Sequence, residues 1–285
     1  QLRAGAPAAR PGPMTTSPAE PIRSATNPRF RLLAGLVEKP RERRRQGASV
    51  IEGAHLLESF VARFGAPRLV FVPEDAPSSV ARLAGASGAE VLALDRRLFA
   101  RVSEVENGPG PIAVVDTPRS VLPGSIVEDL VYLDRIQDPG NVGSILRTCA
   151  AVGMRRVATA PSTASCWAPK VLRAGQGAHF HLEIHEDVEW TEITRRSRIG
   201  LRYAAADAPV RIDRCELLAP AVWVFGNVGQ VVAEEIRRAA PGAAVAIAQT
   251  GGVESLNVGV AAAVCLYEQW RQRGFPGARP VGPAR

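Results

Sequence analysis

The chain has 285 residues, 46% of them hydrophobic and 22% charged, which suits a packed core of one large or two smaller domains. No apolar run reaches the roughly 18–20 residues that a membrane-spanning helix needs, and the start lacks the charged-then-apolar pattern of a secretory signal. A cytoplasmic protein with no membrane partner is therefore expected. The net charge of +7 is uneven: residues 1–50 hold ten basic and three acidic side chains, so the remainder nets to zero. A basic arm on a neutral body fits a polyanion-binding protein, and it fits a solvated tail equally well. The four cysteines are far apart with no CxxC pair, which predicts buried free thiols. His179 and His181 sit two apart, as on one face of a strand. Without acidic or cysteine partners at ligand spacing they read as structural, and no metal is expected.

Residues 1–23 are rich in Pro, Ala and Gly and are expected to be a disordered tail, with Met14 a candidate initiator. Order is expected from Ser24. Asn27 and Pro28 make a good N-cap and first helical residue, and Leu32, Leu33, Leu36 and Val37 follow at helical spacing. The cluster Arg41, Arg43, Arg44, Arg45 comes next. A small α/β pattern then runs to residue 115. Helices are predicted at Ala54–Arg63 and Ser79–Leu83, and strands at Leu69–Val72, Val91–Leu94 and Ile112–Val115. Residues 116–126, with Pro118, Pro123 and Gly124, read as a linker.

From 127 to 273 strands and helices alternate. Strands are predicted at Leu130–Leu133, Arg156–Thr159, Arg202–Ala205, Ala221–Phe225 and Ala243–Ile247. Helices are predicted at Val142–Val152, Pro169–Gly175, Val232–Ala239 and Val253–Arg273. That alternation implies a parallel sheet with helices on its faces, and ligands in such sheets bind at the carboxyl ends of the strands. Residues 274–285 read as a loose tail.

Three strand-to-helix loops lie where ligands would bind. The first is Leu133-Asp-Arg-Ile-Gln-Asp-Pro-Gly-Asn-Val-Gly-Ser-Ile-Leu-Arg147, with Asn141 at the expected N-cap and Arg147 nearly two turns on. The second is Val224-Phe-Gly-Asn-Val-Gly-Gln230, whose small residues let a ligand approach the backbone. The third is Ile247-Ala-Gln-Thr-Gly-Gly-Val-Glu-Ser-Leu-Asn257, which leads into a helix apolar nearly all round, suited to burial or a subunit interface. Each loop alone is also compatible with a plain βα turn.

Together, in this order, the three segments resemble the signature motifs of the SpoU (TrmH-like) RNA 2′-O-methyltransferases of the SPOUT superfamily. The resemblance is carried by Asp138-Pro139-Gly140-Asn141-Val142-Gly143 with Arg147, and by Glu254-Ser255-Leu256-Asn257-Val258 leading to Leu266-Tyr267-Glu268. Pro169-Lys170-Val171 with Arg173-Ala174 and Gly177 adds to it. It covers roughly 127–273. Asn27-Pro28 to Glu52-Gly53 resembles the small RNA-binding domain often fused ahead of the catalytic one.

The resemblance implies an α/β fold: a parallel sheet with a C-terminal deep trefoil knot, preceded by a small α/β domain at 24–115. It implies S-adenosylmethionine as methyl donor, RNA (ribosomal rather than transfer RNA) as substrate, and a homodimer. It assigns catalytic roles to Asn141, Arg147, Ser255 and Asn257. Donor contacts fall on Phe225, Gly226, Asn227, Gly229, Ile247, Ala248, Ser255, Leu256 and Asn257. RNA contacts fall on Arg29, Arg41, Arg43, Arg44, Arg45, Lys170 and Arg173. Arg147 is the family's assigned base, but a guanidinium hardly deprotonates in a protein. It is better cast as a clamp on phosphate and on developing alkoxide charge.

The second motif departs from the family's Gly-Asn-Glu-Gly-x-Gly: Val228 stands for the carboxylate and Val231 for a glycine. The third has Ile247-Ala248-Gln249 for Ile-Pro-Met. These changes keep open an alternative, an RNA-binding protein on the same fold with weak or absent donor binding. A dinucleotide-dependent enzyme is disfavoured, because no GxGxxG opens the first helix.

Overall fold

The computed structural model describes residues 20–105, 110–226, 234–250 and 255–279. Residues 20–23, expected to belong to the tail, include Ile22, which bridges to Leu94 in parallel fashion. Helix α1 (Pro28–Glu38) starts as expected, with the Asn27 side chain accepting the Arg29 N–H. It buries Phe30, Leu33, Ala34 and Leu36. The basic cluster then forms its own helix, α2 (Pro40–Gln46), which ends at Gly47 in the left-handed conformation.

Strand β1 (Ala48–Glu52), which the sequence reading passed over, follows directly. Helix α3 (Ala54–Phe64), β2 (Leu69–Pro73), α4 (Ser78–Ala86), β3 (Glu90–Leu94), α5 (Arg96–Val102) and β4 (Ile112–Asp116) complete the first half. The strands order β1-β4-β2-β3; β2 and β3 run parallel, and β4 is antiparallel to both of its neighbours.

The second half is a six-stranded, wholly parallel sheet of order β10-β8-β9-β5-β6-β7. Its elements are β5 (Leu130–Asp134), α6 (Pro139–Ala151), β6 (Arg156–Thr159), α7 (Pro169–Gly175), β7 (Glu183–His185), α8 (Trp190–Arg196), β8 (Gly200–Ala204), β9 (Ala221–Gly226), α9 (Glu234–Ala239), β10 (Ala244–Val245) and α10 (Val258–Gln272). The central strands β5 and β9 are buried on both faces, so they read as unbroken apolar runs rather than alternating ones.

Several boundaries differ from expectation. Strand β10 stops at Val245 because Ala246 leaves β8 and exchanges backbone hydrogen bonds with Val210 and Ile212. Residues 178–181 form a 3-10 turn, not a strand, and His179 is buried with Nε2 bonded to the Cys166 carbonyl. Burial pushes the His179 pKa down to about 4, so the ring is neutral.

The two sheets share a core. Leu56, Leu57 and Phe60 of α3 join the hydrophobic cluster that holds Val171, Leu172 and Phe180. Phe180 makes edge-on contacts with Phe60 and Phe64 at 5.7 and 5.8 Å between ring centres. Arg63 donates to the Phe180 carbonyl. Each fully buried aliphatic or aromatic side chain contributes roughly 1.5–3 kcal/mol, so this seam is a stabilising contact and not a loose hinge.

Candidate active site

The site is built where the carboxyl ends of β5 and β9 lie side by side, with Asp134 opposite Gly226 in register. Helix α6 begins at Pro139 rather than near Asn141. Asp138 is the N-cap, and its Oδ1 accepts the Asn141 N–H at 2.7 Å. Asn141 is thereby freed for another task. Its side-chain Oδ1 accepts from Nδ2 of Asn257 at 2.9 Å. Asn257 is itself the N-cap of α10, accepting the N–H groups of Gly259 and Val260 at 2.8 and 3.3 Å. That cap is why α10 starts at Val258 and not at the expected Val253. One amide thus ties together segments 116 residues apart.

The stripe of α6 facing α10 is Asn141, Ser144 and Thr148, at helical i, i+3, i+7 spacing. A Cβ placed on Gly259 would come within 3.4 Å of the Ser144 hydroxyl. On its far side α6 packs still more closely. A Cβ on Gly143 would meet Ala174 Cβ at 2.4 Å, the Val171 carbonyl at 2.8 Å and the Gly175 nitrogen at 2.9 Å. The Ala174-Gly175 pair in the α7 motif is explained by this approach of two helices. Arg147 lies beside the α10-facing stripe, exposed, with no hydrogen bond or ion pair to another described residue.

The donor-contact candidates fall in two groups. Phe225 is buried and Gly226 half-buried at the end of β9. Ile247 and Leu256 are half-buried, and Ala248 and Ser255 are exposed, at the same rim. The backbone of Ile247 and Ala248 forms no hydrogen bond with another described residue. Asn227, Gly229, Val228 and Val231 lie outside the described residues, as does Glu254. The sequence reading missed Asp134 and Arg135. Arg135 adopts a left-handed backbone (φ 56°) at the end of β5, and its guanidinium grips the buried Asp134 carboxylate through two bonds of 2.9 and 3.2 Å. A non-glycine residue in that region costs free energy that only a surrounding constraint maintains. The adjacent Asp-Arg pair inside the first loop segment was the available signal.

The basic residues divide sharply. Arg29, Arg41, Arg44, Arg45 and Lys170 are exposed. Arg29 pairs with Glu90, Arg44 with Asp187 and Arg45 with Glu42, all surface pairs worth little in water and open to exchange for phosphate. Arg43 is a correction: it is 7% exposed, and its Nη1 donates to the Leu36 and Val37 carbonyls at the end of α1. It closes that helix and is not a surface phosphate contact. Arg173 donates to the Glu104 carbonyl at 2.6 Å across the seam between the sheets. Among the described residues no cluster of His, Cys, Asp or Glu could hold a metal ion, and no helix is long and apolar enough to cross a membrane.

Known proteins fall in line with this geometry. Residues 129–267 match the SpoU rRNA Methylase family, and residues 27–113 match an MRM3-like substrate binding domain. The chain is 29% identical over 253 residues to the 23S rRNA (guanosine(2553)-2′-O)-methyltransferase of Bacillus subtilis (strain 168), covering 86% of this chain and 97% of that protein. It is 29% identical over 189 residues to the mitochondrial rRNA methyltransferase 3 of Homo sapiens, covering 63% of this chain and 43% of that protein. Among solved structures, the SpoU methyltransferase AviRb from Streptomyces viridochromogenes in complex with AdoMet superposes with a TM-score of 0.78 at 25% identity. That alignment covers 87% of this chain and 98% of that one.

Proposed function

The chain belongs to the SpoU rRNA methylase family, and we propose on that premise that it methylates the 2′-hydroxyl of a ribose in ribosomal RNA, in the cytoplasm, with S-adenosylmethionine as donor. The observation that carries the reading is the Asn141–Asn257 hydrogen bond, which joins the first-motif helix to the third-motif helix with Arg147 exposed alongside.

The described residues fit the donor. Ile247 and Leu256 supply apolar walls, and the backbone of Ile247 and Ala248, which bonds to no other described residue, supplies polar groups to read an adenine. When bound, S-adenosylmethionine supplies a sulfonium methyl group that carries its own leaving group. The protein's part is orientation and charge. Arg147 pairs with the substrate phosphate and stabilises negative charge growing on the ribose oxygen. Asn141 and Asn257 hold the two helices so that Arg147 and the donor loop keep their relative placement. Asn257 is spent on this task, with Oδ1 bonded to two N–H groups and Nδ2 to Asn141, so it orders the loop. Ser255, exposed, is left to contact phosphate.

The finer architecture follows the same reading. The C-terminal segment is threaded as a deep trefoil knot, residues 24–115 bind RNA, and the enzyme is a homodimer. Support for the dimer is the row Val260, Val264 and Tyr267 on α10, 49%, 37% and 51% exposed at i, i+4, i+7 spacing. Gel filtration with light scattering reads the dimer directly. Calorimetry with S-adenosylmethionine, followed by tritium transfer into ribosomal RNA lacking its native modifications, tests the activity. Absence of donor binding at millimolar concentration would favour the RNA-binding alternative that Val228 and Val231 keep open. A silent native chain made active by Val228→Glu would do the same.

A further inference from the structure

A cavity of about 360 Å³ opens at the seam between the two sheets, bounded by the end of α2, the segment after β4 and the carboxyl end of β7. Its mouth and floor differ chemically. At the mouth stand Arg44 and Arg119, both exposed, and the Arg119 guanidinium arches over Gly47, where a Cβ would sit 3.3 Å from it. At the floor is His185, the last residue of β7, only 4% exposed. Its ring meets the Ser120 backbone as a polar neighbour, but neither ring nitrogen makes a hydrogen bond of good geometry. Glu186 also lines the cavity, with its carboxylate held by the Cys166 N–H at 2.7 Å. Ser165, whose side chain bonds to the Glu186 carboxylate, and Ser120 line the walls.

Buried polar groups are nearly always paired, so an imidazole held by no more than a poorly aligned contact to the Ser120 backbone keeps hydrogen-bonding capacity for a polar ligand in the cavity. The volume is that of a small-ligand site. The charge is asymmetric. Three guanidiniums stand here: Arg119, Arg44, which pairs with Asp187, and Arg43, which donates to the carbonyls that end α1; the lining carboxylate is Glu186, whose ionisation burial disfavours. A cationic mouth and a floor of donors and acceptors are complementary to a nucleotide: phosphate outside, polar base inside.

We propose that this cavity takes one nucleotide of the RNA substrate, held away from the ribose being methylated. The placement suits an RNA path. All six strands of the second sheet are parallel, so the cavity at the end of β7 opens on the same rim as the end of β9. The order β9-β5-β6-β7 sets them three strand spacings apart, roughly 14 Å. The inference rests on the RNA-methylating reading, but its test does not pass through turnover alone.

The test uses the full chain saturated with S-adenosylhomocysteine, so that the donor site is closed to nucleotides. With four histidines in the sequence, the His185 imidazole resonances can be assigned by a His185→Gln variant. Each nucleoside 5′-monophosphate, inorganic phosphate and a short single-stranded RNA are titrated in turn. RNA and at least one mononucleotide should shift the His185 resonances. Arg44→Ala and Arg119→Ala should each weaken that binding about tenfold and raise the KM for RNA with kcat little changed. Donor affinity should not move in either variant. Three results would overturn the proposal: no His185 shift with RNA, inorganic phosphate acting as well as every nucleotide, or nucleotide binding with no change in the KM for RNA. Failure of the native chain to bind any donor would instead sink the methyltransferase reading, and the His185 response to RNA would still be legible.

Discussion

Replacing Asn257 by alanine removes two interactions at once, and they can be separated. The first is the N-cap of α10, two backbone N–H groups accepted by Oδ1, worth about 1 kcal/mol when lost. The second is the bond to Asn141, partly solvated and worth about 0.5–1 kcal/mol. Asn257→Ala should therefore cost about 1.5–2 kcal/mol and lower the Tm by about 3–8 °C for a chain of this size. Asn257→Ser keeps a cap acceptor but is too short to reach Asn141, so it should cost only about 0.5–1 kcal/mol. Asn141→Ala should cost a similar amount, and nothing further in the Asn257→Ser background. Urea unfolding followed by circular dichroism gives these values, and methyl transfer in the same four proteins should fall in every one. If Asn257→Ser costs as much as Asn257→Ala, or if Asn141→Ala costs the same in both backgrounds, the two asparagines do not act as a pair.

Other expectations are as direct. Arg147→Ala should lower kcat on the order of 10²–10³-fold with donor affinity unchanged, because a clamp on transition-state charge is lost; Arg147→Lys should rescue poorly, since a point charge cannot replace a planar fork. Full turnover in Arg147→Ala would make the arginine merely structural. Gly143→Ala should destabilise by about 3 kcal/mol, because two of its three contacts are backbone atoms of α7 that cannot swing aside; chemical denaturation indistinguishable from the native chain would show that the helices can separate freely. Stability should also fall on acidification from about pH 6.5 toward pH 4. His179 is held neutral by burial with its pKa near 4, so below pH 6.5 the unfolded chain takes up a proton that the folded one refuses. The gap corresponds to on the order of 3 kcal/mol, and burial of His185 shifts its pKa in the same direction. A His179→Asn variant with an equally steep pH dependence would place the effect elsewhere.

Much of the parallel sheet was legible because its strands are apolar runs of four or five residues between good turn signals. Leu130–Asp134 and Arg156–Thr159 lie within a residue of expectation. What escaped was set by tertiary contact. Strand β1 follows a left-handed glycine after a run of arginines, and only its pairing with β4 makes it a strand. Arg43 reads as surface charge by composition, yet the open carbonyls at the end of α1 draw it inside. Asn141 stood out in the first motif but not as half of a cross-link, since its partner is 116 residues away. The start of α10 was obscured because apolar periodicity continues ahead of the cap.

The shared core of the two sheets changes what an N-terminal deletion would measure. Cutting away residues 24–115 would strip Phe180 and Val171 of their neighbours, so lost RNA binding could not be told from damaged folding. It also means that heat should melt both halves in one transition. An RNA held by α2, as proposed, would then not be reeled in on a tether. It would be laid along a rigid gauge, and the nucleotide that reached Arg147 would be selected by how far it lay from the gripped end.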